Sequence, residues 1–224
     1  MSTKTLKRIQ SRFIDLEKAK LRHWGSTRMV WRLFSLIGHY FFRFSPPSDT
    51  TPDGKRFLNL GAGTVEATGF VSADFYRLHK IFAKKRADWM LDITRPFKCQ
   101  ENFWDGVIME HVNEHLTYTE NYRMLSEVYR TLKPGGCLRV VVPDLSKYLD
   151  WQERRNQQPK MNRYASLPEA ISNLTQNHLH LSVWDAKLMC EVLTEIGFCD
   201  ACQQSFGESS EKHFVDSPNH QWQS

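Results

Sequence analysis

Five short apolar runs punctuate the middle of the chain: residues 56–60, a run ending at Asp74, residues 89–91, residues 104–109 and residues 138–142. Apolar runs of this length, bounded by Gly, Pro or Asp, read as buried strands. Between the fourth and fifth, residues 119–132 place Met124, Leu125, Val128 and Leu132 at helical spacing. Thr117 and Glu120 form a capping box ahead of that helix, and Lys133-Pro134-Gly135-Gly136 closes it. A second helix is predicted over 184–196, where Leu188, Val192 and Ile196 share one face before Gly197. Phe198 onward then reads as a late strand and residues 212–215 as a last edge strand. Alternating strands and helices predict an α/β domain with a mostly parallel sheet and helices on both faces.

Polar and charged positions divide the chain differently. Residues 46–54, Pro46-Pro47-Ser48-Asp49-Thr50-Thr51-Pro52-Asp53-Gly54, read as a linker, so the expected organisation is an extension at 1–45, a linker at 46–55 and a domain at 56–224. The first 45 residues carry ten Lys and Arg against Asp15 and Glu17, a net +8 in a chain of +5, which leaves the remainder at −3. Within that extension Trp31, Leu33, Phe34, Leu36, Ile37, Tyr40 and Phe41 alternate with Arg32, His39 and Arg43. Such a run is too short and too charged to span a bilayer. It reads as an amphipathic helix that packs on the domain or on a second copy in a homodimer, or as a peripheral membrane anchor. Nucleic acid is not an expected partner, because the body is acidic and no recognition fold joins the basic residues.

At 224 residues and 41% hydrophobic, the chain can bury a full core without disulfides. Five cysteines without a secretory signal point to a reducing, cytoplasmic setting, with the inner membrane surface as the site of any peripheral contact. Cys199-Asp200-Ala201-Cys202 is a lone CxxC with no second pair, so no metal site is expected there or elsewhere.

The candidate chemistry gathers at the strand ends. Gly61-Ala62-Gly63 follows the first strand directly, and Asp74 closes the second thirteen residues after Gly61. Glycines let backbone approach a ligand closely, and a carboxylate at the next strand end can accept hydrogen bonds from both hydroxyls of a ribose. In an open α/β sheet, ligands bind beyond the carboxyl ends of the strands. Gly61, Asp74, Asp92, Glu110, His111 and Asp144 are therefore expected on one rim.

With the LNLGAGT turn at 58–64, Asp74, Asp92, EHVNEHL at 110–116, LKPGG at 132–136 and RVVVPDL at 139–145, the sequence resembles the class I S-adenosylmethionine-dependent methyltransferases over roughly residues 56–202. Within that superfamily it is similar to type 11 methyltransferase domains of a branch associated with bacterial surface-polysaccharide pathways. The resemblance implies a Rossmann-like sandwich with seven strands, S-adenosyl-L-methionine as cofactor, and O-methylation of a glycan or related small metabolite. It also implies that Gly61, Ala62 and Gly63 pass beneath the methionine moiety, that Asp74 holds the ribose, that Asp92 and Ile93 meet the adenine, and that Glu110 lies on the cofactor side. Two departures stand out: a third glycine is missing, and the interval from Gly61 to Asp74 is shorter than the roughly twenty residues of a dinucleotide fold. The first crossover is therefore expected to be short or replaced by a turn.

An oxygen acceptor needs a general base. His111 is the first candidate, followed by His178, His180 and Asp144. Two other readings compete: a cofactor-binding interaction module without catalysis, and a zinc hydrolase, since residues 111–115 spell H-x-x-E-H. The hydrolase reading requires both histidines on one helical turn and leaves the glycine turn unexplained.

Overall fold

The computed structural model describes residues 33, 37, 45–63, 68–74, 87–154, 164–205, 207–209 and 211–214. Five parallel strands form one sheet: β1 (Phe57–Leu60), β2 (Phe70–Asp74), β3 (Trp89–Met90), β4 (Trp104–Glu110) and β5 (Leu132–Val141), in the order β3-β2-β1-β4-β5. Helix α1 (Tyr118–Thr131) crosses from β4 to β5. Beyond β5 come α2 (Leu145–Leu149), α3 (Trp151–Arg154), α4 (Leu167–Gln176) and α5 (Ala186–Ile196). This is the Rossmann-like α/β architecture that the strand pattern predicts, with the order reversing between β1 and β4.

Side-chain alternation along the strands builds the two faces. Leu58 and Leu60 of β1 and Val107 and Met109 of β4 join the main core with Trp89, Trp104, and Met124, Leu125 and Val128 of α1. Leu188, Val192 and Ile196 of α5 close that face. Phe57 and Ile108 point the other way, where Phe70, Cys137 and Phe214 meet them. Gly106 makes that contact feasible, because a Cβ there would lie 2.8 Å from both Phe57 and Phe214. Helices were expected on both faces. Among the described residues, α1 and α5 cover the first, while the Phe214 segment covers part of the second.

Helix α1 starts where the capping box places it: the Thr117 side chain accepts from Glu120 N–H, and the Glu120 carboxylate accepts from Thr117 N–H at 2.9 Å. Helix α5 is shorter than predicted, because the Asp185 carboxylate accepts from Leu188 N–H at 2.8 Å and sets the start at Ala186. It stops at Gly197, whose φ of 122° few side chains could adopt.

Five strands lie among the described residues, and the outer side of β5 borders a groove of about 1000 Å³. Two expectations change. No strand begins at Phe198; its N–H returns to the Leu193 carbonyl as part of the helix cap, and Asp200 has φ 55°. Residues 211–213 form a bend and turn rather than an edge strand, while Val215 lies outside the described residues. The described residues of 145–181 also carry α2, α3 and α4, to which the sequence pattern assigns no element, around a small core of Tyr148, Tyr164, Ala170 and Leu174.

The first crossover spans only residues 61–69, of which 64–67 lie outside the described residues, as does the extension 1–45 apart from Leu33, Ile37 and Ser45. Leu33 and Ile37 are helical and 55% and 40% exposed. Of the predicted linker, residues 51–55 form a tight turn in which Thr51 bonds Asp53 and Lys55. Lys55 reaches Glu211 at 3.2 Å, which ties the turn to the segment before Phe214. Among the described residues no helix is long and apolar enough to cross a membrane.

The cysteines are all free thiols. Burial pushes the Cys99 thiol up to about 12, whereas Cys199 and Cys202 are exposed. Alkylation needs the thiolate. Iodoacetamide at pH 8 is therefore expected to label Cys199 and Cys202 in the native protein and to spare Cys99, as read by peptide mass spectrometry. Early labelling of Cys99 would mean that the core around Trp104 opens readily.

Candidate functional site

The rim is assembled by backbone bonds between successive strand ends. Gly61 and Ala62 N–H both donate to the Ala73 carbonyl, Leu91 N–H donates to Asp74, and His111 N–H donates to Val141. The ends of β1, β2 and β3 are thus laced together, as are those of β4 and β5, and Gly61, Asp74, Asp92, Glu110, His111 and Asp144 lie along this rim.

At the glycine turn, Gly61 has φ 76° and Gly63 has φ 59°. A Cβ on Gly61 would lie 2.4 Å from a methyl of Val112, so this position requires glycine for two independent reasons. Gly63 N–H donates to Asp74 Oδ2 at 2.9 Å, which fixes the carboxylate beside the turn. Ala62 is buried next to them. A backbone cradle whose one side chain is the buried methyl of Ala62, beside a partly exposed carboxylate, fits the ribose and methionine end of a nucleoside cofactor.

The other expected cofactor residues are more structural. Asp92 is 3% exposed; its Oδ1 accepts from Thr94 N–H at 3.0 Å and from the Thr94 hydroxyl at 2.7 Å, and its Oδ2 meets Arg95 at 3.4 Å. Its carboxylate thus folds the turn after β3. Ile93 packs against the main core, and Glu110 ends β4 half-buried beside Val141.

Of the four catalytic candidates, His111 has the most distinctive setting. It has φ 53°, and its Nδ1 lies 2.8 Å from Oε1 of Glu114, itself only 2% exposed. An ionised carboxylate can only accept, so Nδ1 carries a proton, and in the neutral ring Nε2 carries the lone pair. Burial works to raise the Glu114 carboxyl, but the His111 bond and the nearby imidazoles outweigh it and hold the group below its usual range. Asp144 instead caps α2 by accepting from Ser146 N–H at 2.9 Å. His180 lies against His115, its Nδ1 2.5 Å from the Leu174 carbonyl, and His178 is exposed with φ 58°.

The H-x-x-E-H segment does not form one helical turn. His111 lies outside the short 3-10 turn Asn113–His115 and bonds Glu114 directly, which is incompatible with two metal-binding histidines flanking a free glutamate. Glu114 is the residue that reasoning from the sequence missed; its i, i+3 spacing from His111 was the available signal. A buried polar network locks the segment: Asn113 donates to Asn121 at 2.8 Å, Asn121 donates to the Asn113 carbonyl at 2.8 Å, and Ser182 donates to the same carbonyl at 3.0 Å.

Residues 58–140, which include β2 through β4, α1 and nearly all of β1 and β5, match a family described as a methyltransferase domain. No curated protein matches the chain. Among solved structures, it is similar to a SAM-dependent methyltransferase from Archaeoglobus fulgidus, at 17% identity over 84% of this chain and 74% of that one, with a TM-score of 0.41. It is also similar to a complex between the Haloferax volcanii Trm112 methyltransferase activator and a putative methyltransferase, at 15% identity over 82% and 72%, with a TM-score of 0.41. A third similarity is to Haemonchus contortus phosphoethanolamine N-methyltransferase 2 in complex with S-adenosyl-L-methionine, at 16% identity over 76% of this chain and 37% of that one, with a TM-score of 0.36.

Proposed function

We propose that this chain, whose residues 58–140 match a methyltransferase domain, is a class I S-adenosylmethionine-dependent methyltransferase that methylates an oxygen of a glycan or related small metabolite. The observation that carries the reading is the glycine cradle at Gly61 to Gly63 joined to Asp74 at the reversal point of the sheet. S-adenosylmethionine supplies an electrophilic methyl group on a sulfonium whose departure leaves a neutral thioether.

The protein's own work is positioning and proton handling. Gly61, Ala62 and Gly63 bring backbone close to the methionine end, and Asp74 holds the ribose hydroxyls. Hydrogen bonds to an ionised carboxylate contribute roughly 1.5 to 3 kcal/mol each. His111 Nε2 takes the proton that the acceptor hydroxyl loses, while Glu114 orients the ring and favours the imidazolium that forms. Tyr148, Tyr164, Ala170 and Leu174 form a separate small core, and acceptor selection is assigned to the region 145–181 that carries it.

Calorimetric titration of S-adenosylmethionine into the wild type, Asp74→Ala and Asp74→Asn tests the reading. The Ala variant is expected to bind at least about tenfold more weakly. Asn keeps an acceptor for Gly63 N–H, so it should preserve the turn and isolate the effect of losing the charge. Absence of binding to folded wild type, or equal binding by Asp74→Ala, would overturn the assignment. Screening sugar and nucleotide-sugar hydroxyls for methyl uptake then tests the acceptor class.

A further inference from the structure

We propose that Glu114, His115 and His180 form a binding site for a divalent transition metal of the zinc class. One ligand atom from each of the three lies within 4.8 Å of the others. Glu114 is 2% exposed, and its Oε2 is buried with no hydrogen-bond partner among the described residues, while Oε1 is engaged by His111. A buried carboxylate oxygen without a donor is costly. A cation between it and two imidazoles removes that cost.

The His180 imidazole is arranged as a metal ligand usually is, with one ring nitrogen tied to backbone so that the other is presented. His180 Nδ1 donates to the Leu174 carbonyl at 2.5 Å, which leaves Nε2 as the lone-pair nitrogen. The His115 ring meets that of His180 edge to face, with centroids 5.1 Å apart.

Their backbones are held by the surrounding frame. Leu181 N–H donates to the Glu114 carbonyl at 2.7 Å, and Ser182 bonds Asn113, so the two ligand-bearing segments cannot drift apart without breaking buried bonds. Metal bonds of about 2.0 to 2.2 Å require only that side chains rotate inward on this frame. Two nitrogens and one oxygen favour zinc, cobalt or nickel over magnesium or calcium, which take oxygen ligands. Three protein ligands leave a fourth position for water or an acceptor oxygen, and His115 keeps the site open to solvent.

The test uses the full chain, stripped with chelator and titrated with Co²⁺ in the absence of cofactor and acceptor, so its failure leaves the methyltransferase reading untouched. One ion per chain is expected, with visible ligand-field absorption, no thiolate charge-transfer band, displacement by Zn²⁺ and a rise in melting temperature. His180→Ala and the more exposed His115→Gln should each weaken binding at least tenfold while keeping the wild-type circular dichroism. No uptake by folded wild type would overturn the proposal, as would uptake unchanged in His115→Gln. A thiolate band lost in Cys199→Ser/Cys202→Ser would also overturn it, by placing the ion on the CxxC.

Discussion

Gly61→Ala is expected to lose about 2 to 4 kcal/mol of stability and most of its affinity for S-adenosylmethionine. Two costs combine. At φ 76° a Cβ opposes the neighbouring carbonyl, which costs roughly 1 to 2 kcal/mol. The same Cβ would lie 2.4 Å from a methyl of Val112, a distance that real side chains do not tolerate, and overpacking of that kind costs about 1 to 3 kcal/mol. Val112 cannot retreat easily, because it is buried in the main core and stands between His111 and Asn113, both hydrogen-bonded in place.

The glycine turn must therefore move, and with it the Gly63 N–H that holds Asp74. Gly54→Ala provides the control: it has φ 77° but nothing within 4 Å of an added Cβ, so it should lose about 1 kcal/mol and leave cofactor affinity unchanged. Adding Val112→Ala to Gly61→Ala should restore the steric part of the loss, a coupling of about 0.5 to 3 kcal/mol in a double-mutant cycle by urea denaturation. Equal stabilities for Gly61→Ala and Gly54→Ala would show that the turn does not press against Val112.

The Gly61 to Val112 contact marks the limit of what the sequence reveals. The glycine turn, Asp74 and the helix start at Thr117 were all legible, because each depends on residues close together in the chain. That Val112 would close over Gly61 depends on how two strand-end loops converge, and no local pattern encodes it. The same holds for Glu114: its spacing from His111 was visible, but its burial and its place opposite His180 arise only when residues 177–182 fold back across the 3-10 turn.

The missed elements have different causes. Helices α2 and α3 span five and four residues, too short for a periodic signal to emerge. The start of β5 was hidden by Lys133-Pro134-Gly135-Gly136, which reads as a stop. In the structure Trp104 pairs with Leu132 and Gly106 with Cys137, so the turn chemistry survives as a bulge inside one strand, with Gly135 at φ 77°. The strand read at Phe198 gives way for a local reason: its N–H is taken by the Leu193 carbonyl in the cap of α5, and residues 203–209 contain no apolar run to support pairing along β5.

Trp184→Ala should be the most destabilising single truncation outside the sheet, at about 3 to 5 kcal/mol. Trp184 is 2% exposed and packs edge to face on Tyr118, with centroids 5.2 Å apart. Its indole N–H donates to Ser182 Oγ at 2.8 Å, and its carbonyl accepts from Leu145 N–H at 2.8 Å. It therefore pins the segment carrying His180 to both α1 and the start of α2. Trp184→Phe keeps most of the volume and loses only the indole bond; Ser182 still has the Asn113 carbonyl to donate to, so the expected cost falls to about 1 to 2 kcal/mol. The two variants separate packing from polar anchoring. Urea denaturation followed by far-ultraviolet circular dichroism measures both, and Trp184→Ala within about 1 kcal/mol of wild type would mean that the segment is held by the Asn113, Asn121 and Ser182 network alone. In that case the polar network, rather than the indole, would be the element that keeps His180 within reach of Glu114.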